Sequence, residues 1–148
     1  MKKILYVLLF IVVFAQLFKP EKNISTETKP ADFYAETLAS QEVQEILENS
    51  CTDCHSNHTN YPWYNHLTPF NYFLAGHIED GKKHLNFSEW KNYDNERKEH
   101  KLDEIVDMVK KKEMPLPSYL NIHKDAELTE NQIDLLVDWA KNAEKIYK

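Results

Sequence analysis

The sequence predicts an all-α fold organised as a single domain. Three observations carry this reading. Only two of the 148 residues are Gly, and folds rich in tight turns spend more than that. Long stretches are dominated by Lys, Glu, Leu and Ala, which favour helix. Apolar residues recur at i, i+3 and i+4 behind recognisable caps. At 148 residues the chain is long enough for one domain and hardly for two.

The first element is an N-terminal apolar helix. Met1, Lys2 and Lys3 open the chain with positive charge, and Ile4 to Phe18 is apolar except for Gln16. Fifteen helical residues reach about 22 Å, against about 30 Å for a bilayer core. That length suits a signal-peptide core, with Val13-Phe14-Ala15 as the small-residue cleavage pattern. An uncleaved membrane anchor is the other reading. The lysines would keep the N-terminus in the cytoplasm and send the remainder across the inner membrane. Residues 1–18 are therefore expected to be a signal peptide or membrane anchor. Residues 19–35, polar and carrying Pro20 and Pro30, are expected to be a tether. Residues 36–148 are expected to form the domain.

Within the domain, Ser40 can cap a helix from Gln41 to about Asn49, with Val43, Ile46 and Leu47 on one face. This helix leads directly into Cys51-Thr52-Asp53-Cys54-His55. Residues 57–68 read as an aromatic loop. Pro69 can start a helix to about Glu79, ended by Gly81. Residues 82–93 read as irregular. A helix over about 95–112 places Leu102, Ile105, Val106 and Val109 together, with Met108 as core filler. Pro115 and Pro117 cannot continue it. The last helix has the plainest start: Thr129 and Gln132 form a capping box, and Leu128 can staple to Ile133.

The formal net charge is −6, or −8 if Lys2 and Lys3 leave with a signal peptide. Neither value suits nucleic-acid binding, which needs clustered positive charge. The two cysteines stand three positions apart, at Cys51 and Cys54. A disulfide-stapled domain would spread its cysteines to close long loops. The sulfur here is concentrated, which points to chemistry.

Cys51-x-x-Cys54-His55 is the attachment pattern of c-type haem. Two thiols at this spacing can add to the two vinyl groups of one porphyrin, and the adjacent imidazole can then ligate the iron. Three rivals use the same residues. A thioredoxin-like pair would need a βαβ context. A zinc site would usually need a second Cys/His pair, and there is no second cysteine pair. A disulfide closing so short a loop would stabilise little. The export signal agrees with haem c, which is attached outside the cytoplasm, in the periplasm of a bacterium.

The expected sixth iron ligand is Met114, 59 residues after His55 in a proline-braced loop. A thioether opposite a histidine raises the reduction potential. His66, His77 and His84 offer the bis-histidine alternative, which would lower it. Trp63, Tyr64, Phe70, Phe73 and Trp90 are candidates to wall the haem. No acid–base or nucleophile constellation stands out, so an enzyme is not expected. The expected function is one-electron transfer with an unnamed redox partner protein. The alternative is a haem-based sensor or binding module whose sixth ligand exchanges.

A helix entering CxxCH, a methionine–proline loop and a capped C-terminal helix together resemble class I cytochromes c. Residues 51–148 resemble more closely a bacterial family of haem-binding domain proteins. The stretches that match are Cys51 to Thr59, Tyr61-Pro62-Trp63-Tyr64, His84 to Trp90, and Glu113-Met114-Pro115. The resemblance implies a class I cytochrome c-like helical domain around one covalently bound haem. It departs from ordinary class I chains in the long aromatic insert after the haem motif.

Overall fold

The computed structural model describes residues 2–148. Met1, part of the expected positive start, lies outside the described residues. The fold is all-α: helices and short 3-10 turns follow one another with no strand among the described residues. The helices are α1 (Lys2–Ala15), α2 (Ala31–Glu36), α3 (Gln41–Ser50), α4 (Thr52–His55), α5 (Phe70–His84), α6 (Asn95–Lys110), α7 (Pro117–Leu120) and α8 (Glu130–Glu144).

The core follows the apolar stripes. α6 and α8 pack together, burying Leu102, Ile105, Val106 and Val109 against Ile133, Leu136, Val137 and Ala140. Val43, Ile46 and Leu47 of α3 join the same cluster. Leu136 and Leu102 are wholly enclosed, and removing either side chain down to Cβ would cost about 2–5 kcal/mol. Ser40 caps α3 through the Val43 amide at 3.3 Å. Thr129 caps α8 through the Gln132 amide at 3.3 Å, with the Gln132 side chain accepting from the Thr129 amide at 2.9 Å. Leu128 packs against the cluster that holds Ile133.

Several boundaries differ from the sequence reading, each for a physical reason. The stretch read as a polar tether ends in α2, which buries Phe33 and Tyr34. A six-residue helix is too short to display a period. α3 does not run smoothly into the cysteine motif. It stops at Ser50, and Cys51, at φ −130° and ψ −44°, breaks the chain before α4. α5 does not end at Gly81 but continues to His84. Residues read as irregular contain a 3-10 helix, Phe87–Asn92, capped by Asn86. α6 ends through a Schellman motif: the Glu113 amide donates to Met108 O at 3.0 Å and the Lys112 amide to Val109 O at 3.1 Å. Lys112 takes the left-handed conformation, φ 55°, that such an ending requires. Met108 is not core filler, since it is exposed at the end of α6.

Trp90 belongs to the core. Its Nε1 donates to the Tyr147 hydroxyl at 3.0 Å, and that hydroxyl donates to Glu36 at 3.0 Å. Lys98, itself buried, donates to the same carboxylate at 2.6 Å. Burial pushes the Tyr147 hydroxyl up to about 12, so it stays protonated and keeps donating. The start and the end of the domain are thereby tied to one carboxylate. α1 stands apart: every side chain from Lys2 to Phe14 is exposed. Among the described residues no helix is long and apolar enough to cross a membrane.

Candidate functional site

The site is built on one turn of helix. The Cys51 amide finishes α3 by donating to Leu47 O at 2.8 Å, and its carbonyl starts α4 by accepting from Cys54 at 3.2 Å and His55 at 3.0 Å. Residues three apart on such a turn share a face, so Cys51 and Cys54 form a pair. Both thiols are free and half-buried. Burial, with Cys54 nearby, pushes the Cys51 thiol up to about 12. Burial, with the Asp53 carboxylate nearby, pushes Cys54 up to about 11. A redox dithiol works through a depressed thiol pKa, and both groups are displaced the opposite way. Cys51, Cys54 and His55 also do not converge into a cluster able to hold one ion among the described residues, which is unlike a zinc site.

His55 is held by α5. Its Nδ1 lies 2.9 Å from the Leu85 carbonyl. A carbonyl can only accept, so the proton is on Nδ1 and the lone pair is on Nε2. Burial keeps the ring below the ordinary histidine range, against the pull of the Leu85 and Gly81 carbonyls. The imidazole is therefore neutral, in the form and tautomer that can ligate a metal. Leu85 is in position because its amide caps α5 on Gly81 O at 2.9 Å. Gly81 is where α5 meets α4. A Cβ there would stand 2.6 Å from Cys54 O, so glycine is needed for close approach and not for a turn.

The segment His84 to Trp90 forms a clasp around the motif. Besides the Leu85 carbonyl, the Ser88 hydroxyl accepts from the Asn57 amide at 3.0 Å, Glu89 accepts from the Asn57 side chain at 2.7 Å, and Asn86 donates to it at 2.8 Å. Phe87 is buried, with its ring 6.0 Å from that of His55.

On the other flank, Asp53 accepts from the Asn60 amide at 3.0 Å and from the Tyr119 hydroxyl at 3.2 Å. Tyr119 stacks on His123 with centroids 4.1 Å apart, and His123 Nε2 lies 2.8 Å from the Tyr64 hydroxyl. Burial and the Asp53 charge hold the Tyr119 hydroxyl above its usual range, so it stays a donor.

Met114 lies half-buried between α6 and α7, its amide donating to Met108 O at 3.3 Å. The loop it occupies is tied to α4 through Tyr119 and Asp53. Among the described residues no hydrogen bond joins Met114 directly to Cys51, Cys54 or His55. Of the other histidines, His58 Nδ1 is engaged with Ser25 O at 2.9 Å, and His77 packs on Phe73. His66 and His84 are exposed. Of the candidate haem-wall aromatics, Tyr64 is in the His123 contact and Trp90 is in the core, while Trp63, Phe70 and Phe73 are exposed.

Sequence reading did not pick out Gly81, Leu85, Asp53 or Tyr119 as site residues. A backbone carbonyl has no sequence signature, although Leu85 falls inside the most distinctive matching stretch.

A family model described as a haem-binding domain matches residues 10–142. No curated protein and no solved structure matches the chain. With nine-tenths of its length covered by that family model, around a paired-thiol turn and a tautomer-locked imidazole, the chain belongs to the haem-binding domain family, and haem is its cofactor.

Proposed function

We propose that this protein is a class I cytochrome c-like electron carrier that works outside the cytoplasm. In this reading Cys51 and Cys54 hold one haem c as thioethers, His55 ligates its iron through Nε2, and Met114 supplies the sixth ligand. The observation that carries the reading is the 2.9 Å contact from His55 Nδ1 to the Leu85 carbonyl. It leaves the ligating nitrogen free immediately after two thiols one helical turn apart.

The chain's own residues have distinct tasks. Cys51 and Cys54 are free thiols, one for each vinyl group of a porphyrin. The Leu85 carbonyl orients the imidazole and increases its basicity. Buried Phe87 excludes water beside the ring. Tyr119 and Asp53 hold the C-terminal flank of the Met114 loop against α4. A thioether at the sixth position favours a high potential. Bound here, the haem supplies one-electron chemistry while the protein sets its potential. We take the protein as a carrier and not as an enzyme. We further take residues 1–18 as the export signal or inner-membrane anchor.

The test is expression with c-type maturation machinery. Intact mass and a haem stain on a denaturing gel should show one haem retained, and Cys51→Ala with Cys54→Ala should lose it. Met114→Ala should keep haem and lose the weak red absorption band of a thioether–iron pair. An unchanged spectrum removes Met114 from the proposal. Ready binding of carbon monoxide by the reduced wild type would favour the sensor reading instead.

A further inference from the structure

Two observations meet at the start of α5. The first is a patch of apolar side chains without cover. Trp63 and Leu67, in and after the 3-10 helix Trp63–His66, and Phe70 and Phe73, on the first turn of α5, all face solvent. Trp63 is 73% and Phe73 is 63% exposed. The buried face of α5 is carried instead by Asn71, Leu74 and Ile78. Four large exposed apolar side chains within one short stretch of chain mark a contact surface.

The second observation is the path of the chain out of α1. Gln16, the first residue beyond that helix, clamps Thr68 twice: its Oε1 accepts from the Thr68 amide at 2.9 Å and its Nε2 donates to the Thr68 carbonyl at 3.2 Å. The Thr68 hydroxyl donates to Phe18 O at 3.4 Å. Asn23 is then fixed by the Tyr61 hydroxyl at 2.7 Å and by Ser56 O at 2.9 Å. The residues between, Lys19 to Lys22, line a cavity of about 290 Å³ against Tyr61 and Asn71. α1 is thus joined to the domain without slack.

We propose that Trp63, Leu67, Phe70 and Phe73 form a membrane-contact surface, seated in the interfacial layer of the phospholipid bilayer that holds α1. The proposal rests on reading α1 as an uncleaved anchor. The 14 residues of α1 reach only about 21 Å, against about 30 Å of hydrocarbon. So short a helix is accommodated by local thinning and by drawing its flanking residues inward. Because Gln16 grips Thr68, whatever depth the end of α1 takes, the start of α5 shares it. Trp is suited to that depth, where its apolar ring and N–H meet headgroups, and Phe and Leu bury apolar area at the acyl boundary. Exposed Lys19 and Lys22 lie beside the junction, placed to meet lipid phosphates. The haem site would then be held at a set height above the bilayer, not swung on a loose leash.

The test uses full-length, haem-loaded protein in phosphatidylethanolamine–phosphatidylglycerol vesicles. One new thiol at a time is introduced and spin-labelled: Phe73→Cys in the patch, Ile11→Cys in α1, and Asp134→Cys on the exposed side of α8. Collision with oxygen, which concentrates in lipid, is compared with collision with a water-soluble nickel chelate. The expected oxygen-to-nickel ratio at 73 lies between the two, several-fold above that at 134 and below that at 11. If 11 reads as lipid while 73 reads as aqueous as 134, the contact surface is refuted and the anchor stands. If 11 reads as aqueous, or the intact mass shows residues 1–15 removed, the anchor reading fails and takes the proposal with it. A label at 73 shielded from both reagents and broadened by haem iron would mean that haem covers the patch. Broadening between two labels would mean that a second copy does. Either result overturns the proposal.

Discussion

Gly81 allows a sharp test of how α5 is seated on the Cys51–His55 turn. A Cβ added there meets Cys54 O at 2.6 Å, Cys54 Cβ at 3.1 Å and Cys54 C at 3.2 Å. Two of these are backbone atoms, so no flexible side chain can yield. Gly76, in the same helix, has nothing within 4 Å of the equivalent position. Alanine in place of glycine favours a helix by about 1 kcal/mol at either site. At Gly76 that gain stands alone, so Gly76→Ala should stabilise by about 1 kcal/mol. At Gly81 it is set against overpacking worth about 1–3 kcal/mol, at the high end because backbone must move. Gly81→Ala should therefore destabilise by about 1–2 kcal/mol. The helix contribution is common to both, so the difference of about 2–3 kcal/mol between the two variants isolates the contact. Urea denaturation of the haem-loaded protein, followed by far-ultraviolet circular dichroism, reads both values. Outward movement of Gly81 also drags Leu85, whose amide it accepts, away from His55. The reduction potential should then shift positive, because the imidazole loses basicity. Two variants that shift stability in the same direction by the same amount would refute this account of the α4–α5 contact.

Further expectations are simpler. At pH 8 a thiol raised from 9.0 to about 11, as at Cys54, is about a hundredfold less ionised. A thiolate of higher pKa is also the better nucleophile, so the haem-free chain should react with a disulfide reagent about tenfold more slowly than free cysteine, and speed up as pH climbs toward 11; fast reaction at pH 8 would contradict the burial. Thr129→Ala removes the hydroxyl half of the capping box, the acceptor for the Gln132 amide, and leaves the Thr129 amide on the Gln132 side chain; it should cost about 1 kcal/mol in thermal or urea melts. Lys112→Gly relieves the left-handed backbone that ends α6 and should stabilise by about 1 kcal/mol. The exposed ion pair that Lys112 makes with Glu130 would offset only a few tenths of that.

Much of the fold was legible because long elements advertise themselves. α3, α6 and α8 each combine a side-chain cap with an apolar stripe over several turns, and their positions follow from those signals. The short elements were hidden. α2 and α4 carry four to six residues, fewer than two turns, so no period could reveal them. α7 had a readable sign in Pro117 at its first position. Gly81 misled because a glycine near a helix end usually stops it, whereas here it makes room for another backbone. At the candidate site, the spacing of Cys51, Cys54 and His55 sets them on one turn. What orients them was not legible, since Leu85 acts through its carbonyl and Asp53 through a hydroxyl 66 residues away.

The acceptor that orders His55 belongs to the main chain, and this gives the imidazole an unusual tolerance to drift. A carboxylate partner would be lost with one codon change. The Leu85 carbonyl persists whatever side chain stands at that position, provided α5 still closes on Gly81. The ring's orientation is therefore protected against point changes at residue 85 and vulnerable to anything that shifts the helix end. Variation that retunes this cofactor is expected to enter by moving α5, through its packing on α4, and not by replacing the group that touches the imidazole.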